Sequence, residues 1–373
     1  MQNLEFSAPY NDDPETLEEL FKLNKLNKNK IREIYLSGPQ KYFGSHRITP
    51  EMDINGLIKI VARIHEEGIR ANVVLNSTCE GIEWYSKEVV NSIMEYLRQM
   101  HEEHGLEAVT IANPLYIKEA RRRFPDMEIC ASVLGNVDCV QRAVLYNKLG
   151  ANVITTDNNI NRDLKLLKQI KEATGAELRL MLNEGCIYKC PLRRFHSNAT
   201  SHLSKEIEKK GVDISFGDFY GFCDQVIRED PSQILKSGWI RPEDTRKYSE
   251  ITSFFKIVGR GDLKSKVVRA TKAYLEESWH GDLLDILFTS LGSFTLTHGI
   301  YLDNESLGKY KFFEKITACD KNCPQCDYCE ELAKKIISVG VFTPEKAADM
   351  DDRLALAKAE KKQAKPLLNK EIC

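Results

Sequence analysis

The feature that most constrains the fold is a repeated alternation of short apolar runs and amphipathic stretches over the first 260 residues. The apolar runs have the length of strands, and the stretches between them follow the 3.6-residue period of a helix. Continuous apolar strands separated by helices indicate a parallel sheet covered by helices. The predicted strands are Leu4–Ser7, Ile34–Leu36, Ala71–Leu75, Ala108–Ile111, Glu128–Val133, Asn152–Thr155, Glu177–Leu182 and Phe254–Ile257.

Eight such units predict an α/β protein built on a (β/α)₈ TIM-type barrel. About seventy residues separate Cys186 from the last predicted strand, and insertions of this length are usually lids or binding loops. We therefore expect a barrel at residues 1–275, a small Cys-rich extension at 276–343 and a charged tail at 344–373. The tail should be a solvated helix or a frayed terminus. The predicted helices include Asp53–Glu67, Ser86–His104, Val137–Leu149, Arg162–Ala173 and Val267–Leu275.

Composition narrows the class of function. The formal net charge of −2 over 373 residues gives no support to nucleic-acid binding. The sequence has no apolar run of 18 residues and no basic start followed by an apolar segment, so we expect no membrane segment and a cytoplasmic location. In that compartment clustered cysteines are more often metal ligands than disulfides.

Four of the 11 cysteines form one short run, Cys319-x-x-x-Cys323-x-x-Cys326-x-x-Cys329. Short spacings of this kind allow several sulfurs to converge on one metal or cluster. The run predicts a 4Fe–4S cluster. Zinc is the alternative, although structural zinc sites more often use two separated pairs of cysteines.

A second group, Cys186, Cys190 and Cys223, lies where the seventh strand ends and in the insertion that follows. Three cysteines would leave one iron of a cluster without a local sulfur ligand. Either a cysteine of the 319–329 run completes that cluster, or the open iron binds a small ligand. One or two clusters are therefore possible, and buried structural thiols are the alternative for this group.

Polar residues follow every predicted strand, and in a barrel these positions share the C-terminal face, where active sites are built. Arginine recognises carboxylate or phosphate through paired hydrogen bonds, so a basic run here predicts an anionic substrate. The expected substrate-binding residues are Asn183, Arg193, Arg194 and Lys256. The expected catalytic residues are Glu184 and His196, which would move protons, and Arg260.

Two segments near the last strand, Phe254–Arg260 and Lys266–Tyr274, resemble the signature of the peptidase U32 family. Three earlier segments, Glu5–Asn11, Ile34–Gly38 and Asn183–Pro191, are similar to other parts of that family. The resemblance covers roughly residues 1–280. The resemblance rests on the order of the five segments along the chain as well as on the sequence of each segment.

The resemblance implies one of two activities. The family was named for reported collagenase-like proteolysis. Its better-understood members resemble oxygen-independent hydroxylases that hold a 4Fe–4S cluster on four cysteines and act on transfer RNA, ribosomal RNA or the ubiquinone ring, with prephenate implicated as oxygen donor. Carried over, Cys186, Cys190 and Cys223 would be cluster ligands. This chain lacks the family's further cysteine between Cys190 and Cys223.

The sequence thus predicts a cytoplasmic, anaerobic iron–sulfur enzyme that modifies a small molecule or RNA. Its expected partner is a small anionic substrate or oxygen donor. Two alternatives stay open: a metal-dependent, collagenase-like peptidase, and a non-catalytic iron–sulfur subunit that works with a protein partner.

Overall fold

A computed structural model describes residues 2–40, 42–47, 49, 51–206, 219–287 and 298–364. Eight parallel strands close into a barrel in sequence order, and β1 pairs with both β2 and β8. The strands are β1 Glu5–Pro9, β2 Lys30–Ser37, β3 Arg70–Leu75, β4 Ala108–Ile111, β5 Glu128–Ala131, β6 Val153–Thr155, β7 Glu177–Met181 and β8 Phe254–Lys256. The predicted (β/α)₈ barrel is confirmed.

Helices fill the crossovers between strands and begin at capping residues that the sequence supplies. Asp13, Asp53, Ser86, Asn113 and Asp163 each accept a hydrogen bond from a first-turn N–H, which is the usual role of such residues at a helix start. The helices are α1 Pro14–Leu26, α2 Ile54–Glu66, α3 Lys87–Arg98, α4 Pro114–Arg123, α5 Val140–Leu149, α6 Leu164–Ala173, α7 Arg193–Glu206, α8 Phe219–Glu229, α9 Gln233–Lys236 and α10 Lys264–Glu276.

The predicted boundaries differ from the structure in two informative places. β2 starts at Lys30 rather than Ile34, because Arg32 and Glu33 are part of the strand although both are charged. The predicted helix Ser86–His104 is α3 followed by a π-helical turn, Gln99–Glu103. The insertion before β8 contains α7, α8 and α9, and its residues 207–218 lie outside the described part of the chain.

The Cys-rich extension packs against the segment that leads into β8. Trp239 stacks on Phe312 with ring centroids 5.5 Å apart. Arg241 Nη1 donates to the carbonyl of Asn304 at 3.0 Å. The extension comprises α11 Asn304–Lys309, α12 Phe312–Thr317, α13 Tyr328–Ile336 and the antiparallel pair β9 Tyr301–Leu302 and β10 Ile337–Ser338.

The charged tail forms α14, Pro344–Ala364, and its first turns are not solvated as expected. Lys346 and Asp349 are each 2% exposed. Asp349 accepts hydrogen bonds from Ser265 at 3.0 Å and Arg269 at 2.7 Å, and Lys346 forms an ion pair with Asp282. Buried partners of opposite charge on the barrel side thus hold a helix whose composition alone suggests exposure. Among the described helices, none has the length and apolar character needed to cross a bilayer.

A buried polar ring lies inside the barrel, with one member from each strand. At its centre the guanidinium of Arg179 is paired with the carboxylate of Glu33, and both side chains are fully buried. Glu33 also accepts hydrogen bonds from Ser7 and Asn72, and Arg179 donates to hydroxyl groups. The ring members are Ser7, Glu33, Asn72, Thr110, Cys130, Thr155, Arg179 and Lys256.

The ion pair between Arg179 and Glu33 should dominate the response of the barrel to mutation. Arg179→Met leaves a buried carboxylate unpaired, so the free energy of unfolding should fall by about 3–5 kcal/mol. Chemical denaturation followed by circular dichroism measures this change. The double variant Glu33→Gln/Arg179→Met should recover part of the loss, because no charge is then buried alone. Lys22→Met, at an exposed pair with Glu19, is the control and should change little. An Arg179→Met variant as stable as this control would contradict the assignment.

Candidate active site

A cavity of about 860 Å³ opens at the C-terminal ends of the barrel strands. Its lining comes from β2, β4, β6, β7 and β8, from the connections that follow β2, β3, β5 and β8, and from the start of the insertion. The lining residues with ionisable or nucleophilic groups are Tyr35, His46, Arg47, Glu184, Cys186, Arg193, His196, Lys256 and Arg260.

Two cations and one aromatic ring form the side of the cavity next to β8. The Nζ of Lys256 lies 3.4 Å from the ring centroid of Tyr35, and the guanidinium carbon of Arg260 lies 5.7 Å from the same centroid. The Tyr35 hydroxyl donates to the carbonyl of Ile257 at 2.9 Å, and Arg260 Nη1 donates to Ser37 Oγ at 2.8 Å. Cation–π contact and hydrogen bonds thus fix both cations in place.

Burial changes the protonation of these groups. It lowers the pKa of Lys256 well below the ordinary lysine value, and the nearby charge of Arg179 adds to this effect. Burial also lowers the pKa of Arg260 to about 10 and raises the pKa of Tyr35 to about 12. Arg260 therefore keeps its charge at neutral pH, whereas Lys256 is the amine in this cavity most easily deprotonated.

The opposite wall joins a carboxylate, a thiol and an arginine. Cys186 Sγ donates to Glu184 Oε1 at 3.3 Å, and Arg193 Nη2 lies 4.0 Å from Glu184 Oε2. Arg193 Nη1 is anchored by Asp157 Oδ1 at 2.9 Å and Asn158 Oδ1 at 2.7 Å. Burial, with the charge of Glu184, raises the pKa of the Cys186 thiol, so without a metal this thiol stays protonated.

Two histidines, His46 and His196, line the cavity with their ring centroids 6.2 Å apart. Burial is the main reason that the pKa values of His46 and His196 are both lowered, and the charge of Arg47 lowers them further. Both imidazoles are therefore neutral at pH 7. A neutral imidazole can accept a proton or donate one.

The structure brings six of the sequence-predicted residues to this cavity and places Arg194 and Asn183 elsewhere. Arg194 lies on the outer face of α7, because Arg193, His196 and Ser197 share the inner face at helical spacing. Asn183 is 1% exposed, and its amide donates to the carbonyls of Val258 and Ile286. Its contacts join β7 to the end of β8. The six are Glu184, Cys186, Arg193, His196, Lys256 and Arg260.

The other two insertion cysteines are not among the residues that line this cavity. Cys223 is 7% exposed and lies in the apolar core, while Cys190 is half-buried. Among the described residues, the only three potential ligand atoms that lie mutually within 4.8 Å belong to Glu33, Glu128 and Cys130. Hydrogen bonds from arginine side chains already reach both of those carboxylates, so this group is an ion-pair network rather than a cation site.

The cysteines of the 319–329 run line a separate pocket on the extension. All four border a space of about 800 Å³. Three of them, Cys319, Cys323 and Cys329, also border a second space of about 410 Å³ that faces the insertion. None of the residues that line these two spaces lines the barrel cavity.

Three ionisable residues of the cavity, Tyr35, His46 and Arg47, are not among the site residues that the sequence predicts. Tyr35 lies within a predicted strand, and its phenol faces the cavity because side chains alternate along β2. His46 and Arg47 lie in the long connection between β2 and α2. The length of that connection was the available signal, since long loops at this face of a barrel often carry function.

The fold and the cavity together define an α/β-barrel protein with a buried cationic site at the C-terminal ends of its strands. The profile of peptidase family U32 matches residues 18–202. An uncharacterized protease, MJ1657, of Methanocaldococcus jannaschii is 30% identical over 328 residues, which are 87% of this chain and 94% of that protein. The chain belongs to peptidase family U32, as its resemblance predicted.

A solved structure shows the same fold. The U32 peptidase Mk0906 superposes with a TM-score of 0.50 and 19% identity, over 69% of this chain and 94% of that one. At that identity the likeness bears on the fold alone.

The lowered pKa of Lys256 makes its amine reactive under mild conditions. Its reductive methylation by formaldehyde and cyanoborohydride should reach a plateau rate at a pH well below the ordinary pKa of a lysine amine. Peptide mass spectrometry over a pH series measures this rate. A Lys256→Met variant identifies the modified peptide, and a rate for Lys256 that keeps rising up to the ordinary lysine pKa would contradict the prediction.

Proposed function

We propose that this chain is an iron–sulfur enzyme of the U32 type that binds a small anionic molecule at the barrel mouth. It would carry out an oxygen-independent hydroxylation or a related modification of a small molecule or RNA, with the anion as substrate or oxygen donor. The observation that carries the proposal is a set of three cations around one cavity: Lys256 and Arg260, which are buried, and Arg193, which is 15% exposed.

The charge of the cavity supports an anionic ligand. Arg193 is already paired with Asp157 and lies near Glu184. Arg260 donates to the Ser37 hydroxyl and lies near the Tyr35 ring, and the acidic group that acts on its charge is Asp12. Burying cations in this way is unfavourable unless a counter-charge arrives. A carboxylate that bound between Arg260 and Lys256 would supply that counter-charge. It would also favour the protonated form of Lys256.

Proton transfer has candidates on the opposite wall. Glu184 is 7% exposed, and its Oε2 lies 4.0 Å from the nearest Arg193 nitrogen, which is longer than a hydrogen bond. His196 lies beside it with a lowered pKa. A substrate in this cavity would therefore have anion-binding groups on one side and proton-exchanging groups on the other.

The cofactor of this proposal is a 4Fe–4S cluster, which supplies one-electron chemistry when bound. The resemblance assigns Cys186, Cys190 and Cys223 as its ligands. Of these, Cys186 is the one that lines the cavity, where Glu184 and Arg193 would contact or flank its sulfur. Deprotonation on metal binding would overcome the raised pKa of that thiol.

Peptidase activity is the second candidate, because MJ1657 carries the name of a protease and Mk0906 that of a peptidase. The cavity fits this activity less well. The Cys186 thiol, which would be the nucleophile of a cysteine peptidase, is held protonated by burial and donates to Glu184 rather than to a histidine. Cleavage of collagen or gelatin that survives iron chelation and Cys186→Ser would favour the peptidase.

Anion binding at the mouth can be measured without knowing the reaction. Isothermal titration of prephenate into anaerobically purified protein should show binding that Arg260→Gln weakens by at least tenfold, because a buried charge-assisted contact is worth about 1.5–3 kcal/mol. Lys256→Met should weaken binding in the same direction. Citrate and phosphate serve as alternative anions.

Arg194→Gln is the matched control for these variants, since Arg194 is exposed and lies outside the cavity. It should leave the affinity unchanged. Equal losses in Arg194→Gln and Arg260→Gln, or no binding of any anion by the unaltered protein, would count against the proposed site.

A further inference from the structure

The second pocket of this chain is built around the cysteine run of the extension. Cys319, Cys323, Cys326 and Cys329 line one space of about 800 Å³. Cys326 is exposed and borders only this outer space, whereas the other three also border the inner one. Four sulfurs from a single segment thus surround one volume.

The backbone of the run is arranged to hold sulfur. Lys321 has a positive φ of 63°, and its N–H donates to Cys319 Sγ at 3.3 Å. Cys323 opens the helical turn Cys323–Gln325, and Cys329 lies in the first turn of α13, where N–H groups favour a negative sulfur. Backbone N–H donors to sulfur stabilise thiolate ligands and tune a cluster.

An arginine with unsatisfied donors faces this pocket. Arg162 is 7% exposed and lines the inner space with Cys319, Cys323 and Cys329. Its Nη1 donates to the carbonyl of Leu235, but its Nε and Nη2 have no hydrogen-bond partner among the described residues.

The flat faces of the same guanidinium are covered by aromatic rings, 4.8 Å from the Trp239 centroid and 5.3 Å from that of Phe312. Burying a guanidinium with unpaired N–H donors costs free energy unless an anion binds to it. Lys236 lines the same inner space and already pairs with Asp230 at 3.0 Å. Arg162 is therefore the cation whose free donors an anion in this space would satisfy.

The single run of cysteines favours a cluster over a single zinc ion. All four cysteines come from one short segment, as in ferredoxin-type cluster runs, whereas structural zinc sites more often use two separated pairs. The thiolate-ligated cluster is an anion, which suits Arg162.

We propose that Cys319, Cys323, Cys326 and Cys329 form a self-contained 4Fe–4S site, with Arg162 as its charge-compensating positioning residue. The site is separate from the barrel mouth and does not depend on the function proposed there. Tyr188 and Asn159 line the wall of its inner space, so the Cys186–Cys190 loop lies between the two sites.

Metal analysis of paired variants tests the site. Anaerobically reconstituted full-length protein is assayed for iron, acid-labile sulfide and zinc, and its folding is checked by circular dichroism. In the Cys186→Ser/Cys190→Ser variant about four irons per chain should remain, with the absorption of a cluster. Adding Cys323→Ser/Cys326→Ser to that background should remove them.

Three results would overturn the proposal. One is zinc without sulfide. A second is the loss of all iron in Cys186→Ser/Cys190→Ser, which would mean a cluster shared with the mouth. The third is a folded Cys323→Ser/Cys326→Ser protein with undiminished iron. Prephenate titration of this last variant separates the two proposals, because anion binding at the mouth should persist whether or not the extension holds iron.

The role of Arg162 has its own readout, which leaves all four ligands in place. In the Cys186→Ser/Cys190→Ser background, dithionite supplies one electron to the oxidised cluster, and electron paramagnetic resonance follows the reduced form. Arg162→Met removes a buried positive charge, so the midpoint potential should become more negative. Lys315→Met, a charge change on the exposed rim, should shift it less. An equal or larger shift in Lys315→Met would overturn the role of Arg162.

Discussion

The buried ion pair between Glu33 and Arg179 is the interaction on which the rest of the barrel depends. TIM-barrel interiors are usually filled by branched apolar side chains, and a charge there is tolerated only when its partners are complete. Here Ser7 and Asn72 donate to the carboxylate, and Thr110 and Thr155 accept from the guanidinium. The ion pair and these partners come from six of the eight strands, so the network is complete only in one closed register of the strands.

The same ion pair also affects the pKa of Lys256 at the barrel mouth. Arg179 contributes to the lowered pKa of Lys256, while Glu33 acts in the opposite direction. Because Lys256 pairs in register with Ser7 of β1 and its Nζ faces the Tyr35 ring, its position is fixed by the closure of the barrel. The protonation of the Lys256 amine is therefore determined partly by Arg179 and Glu33, which are buried inside the barrel and do not line the cavity.

The sequence predicts the strands well because apolar runs identify them. It does not predict Glu33 or Arg179, because a charged residue within a strand pattern usually indicates a solvent-facing position. It also leaves Arg193 and Arg194 equivalent, since a short basic run does not fix the phase of the helix that begins there. For Arg162 the sequence predicts only the start of a helix, Arg162–Ala173. Its importance depends on Trp239 and Phe312, which are distant in sequence and become neighbours only after the extension docks.

The loop from Cys186 to Cys190 explains why one chain can hold two sulfur-lined spaces without merging them. Cys186 borders the barrel cavity, and Tyr188, two residues later, borders the inner space of the extension. Ser237 Oγ donates to the carbonyl of Cys186 at 2.5 Å, and the Lys189 N–H donates to Asn159 Oδ1 at 2.9 Å, so both ends of the loop are anchored. For the two proposed centres to share a cysteine of the extension, that cysteine would have to reach past this loop, which these two hydrogen bonds hold in place. Since the anchors are partly buried, moving the loop would expose unpaired backbone groups. The arrangement is therefore better suited to two separate centres on either side of one fixed loop than to a single shared centre.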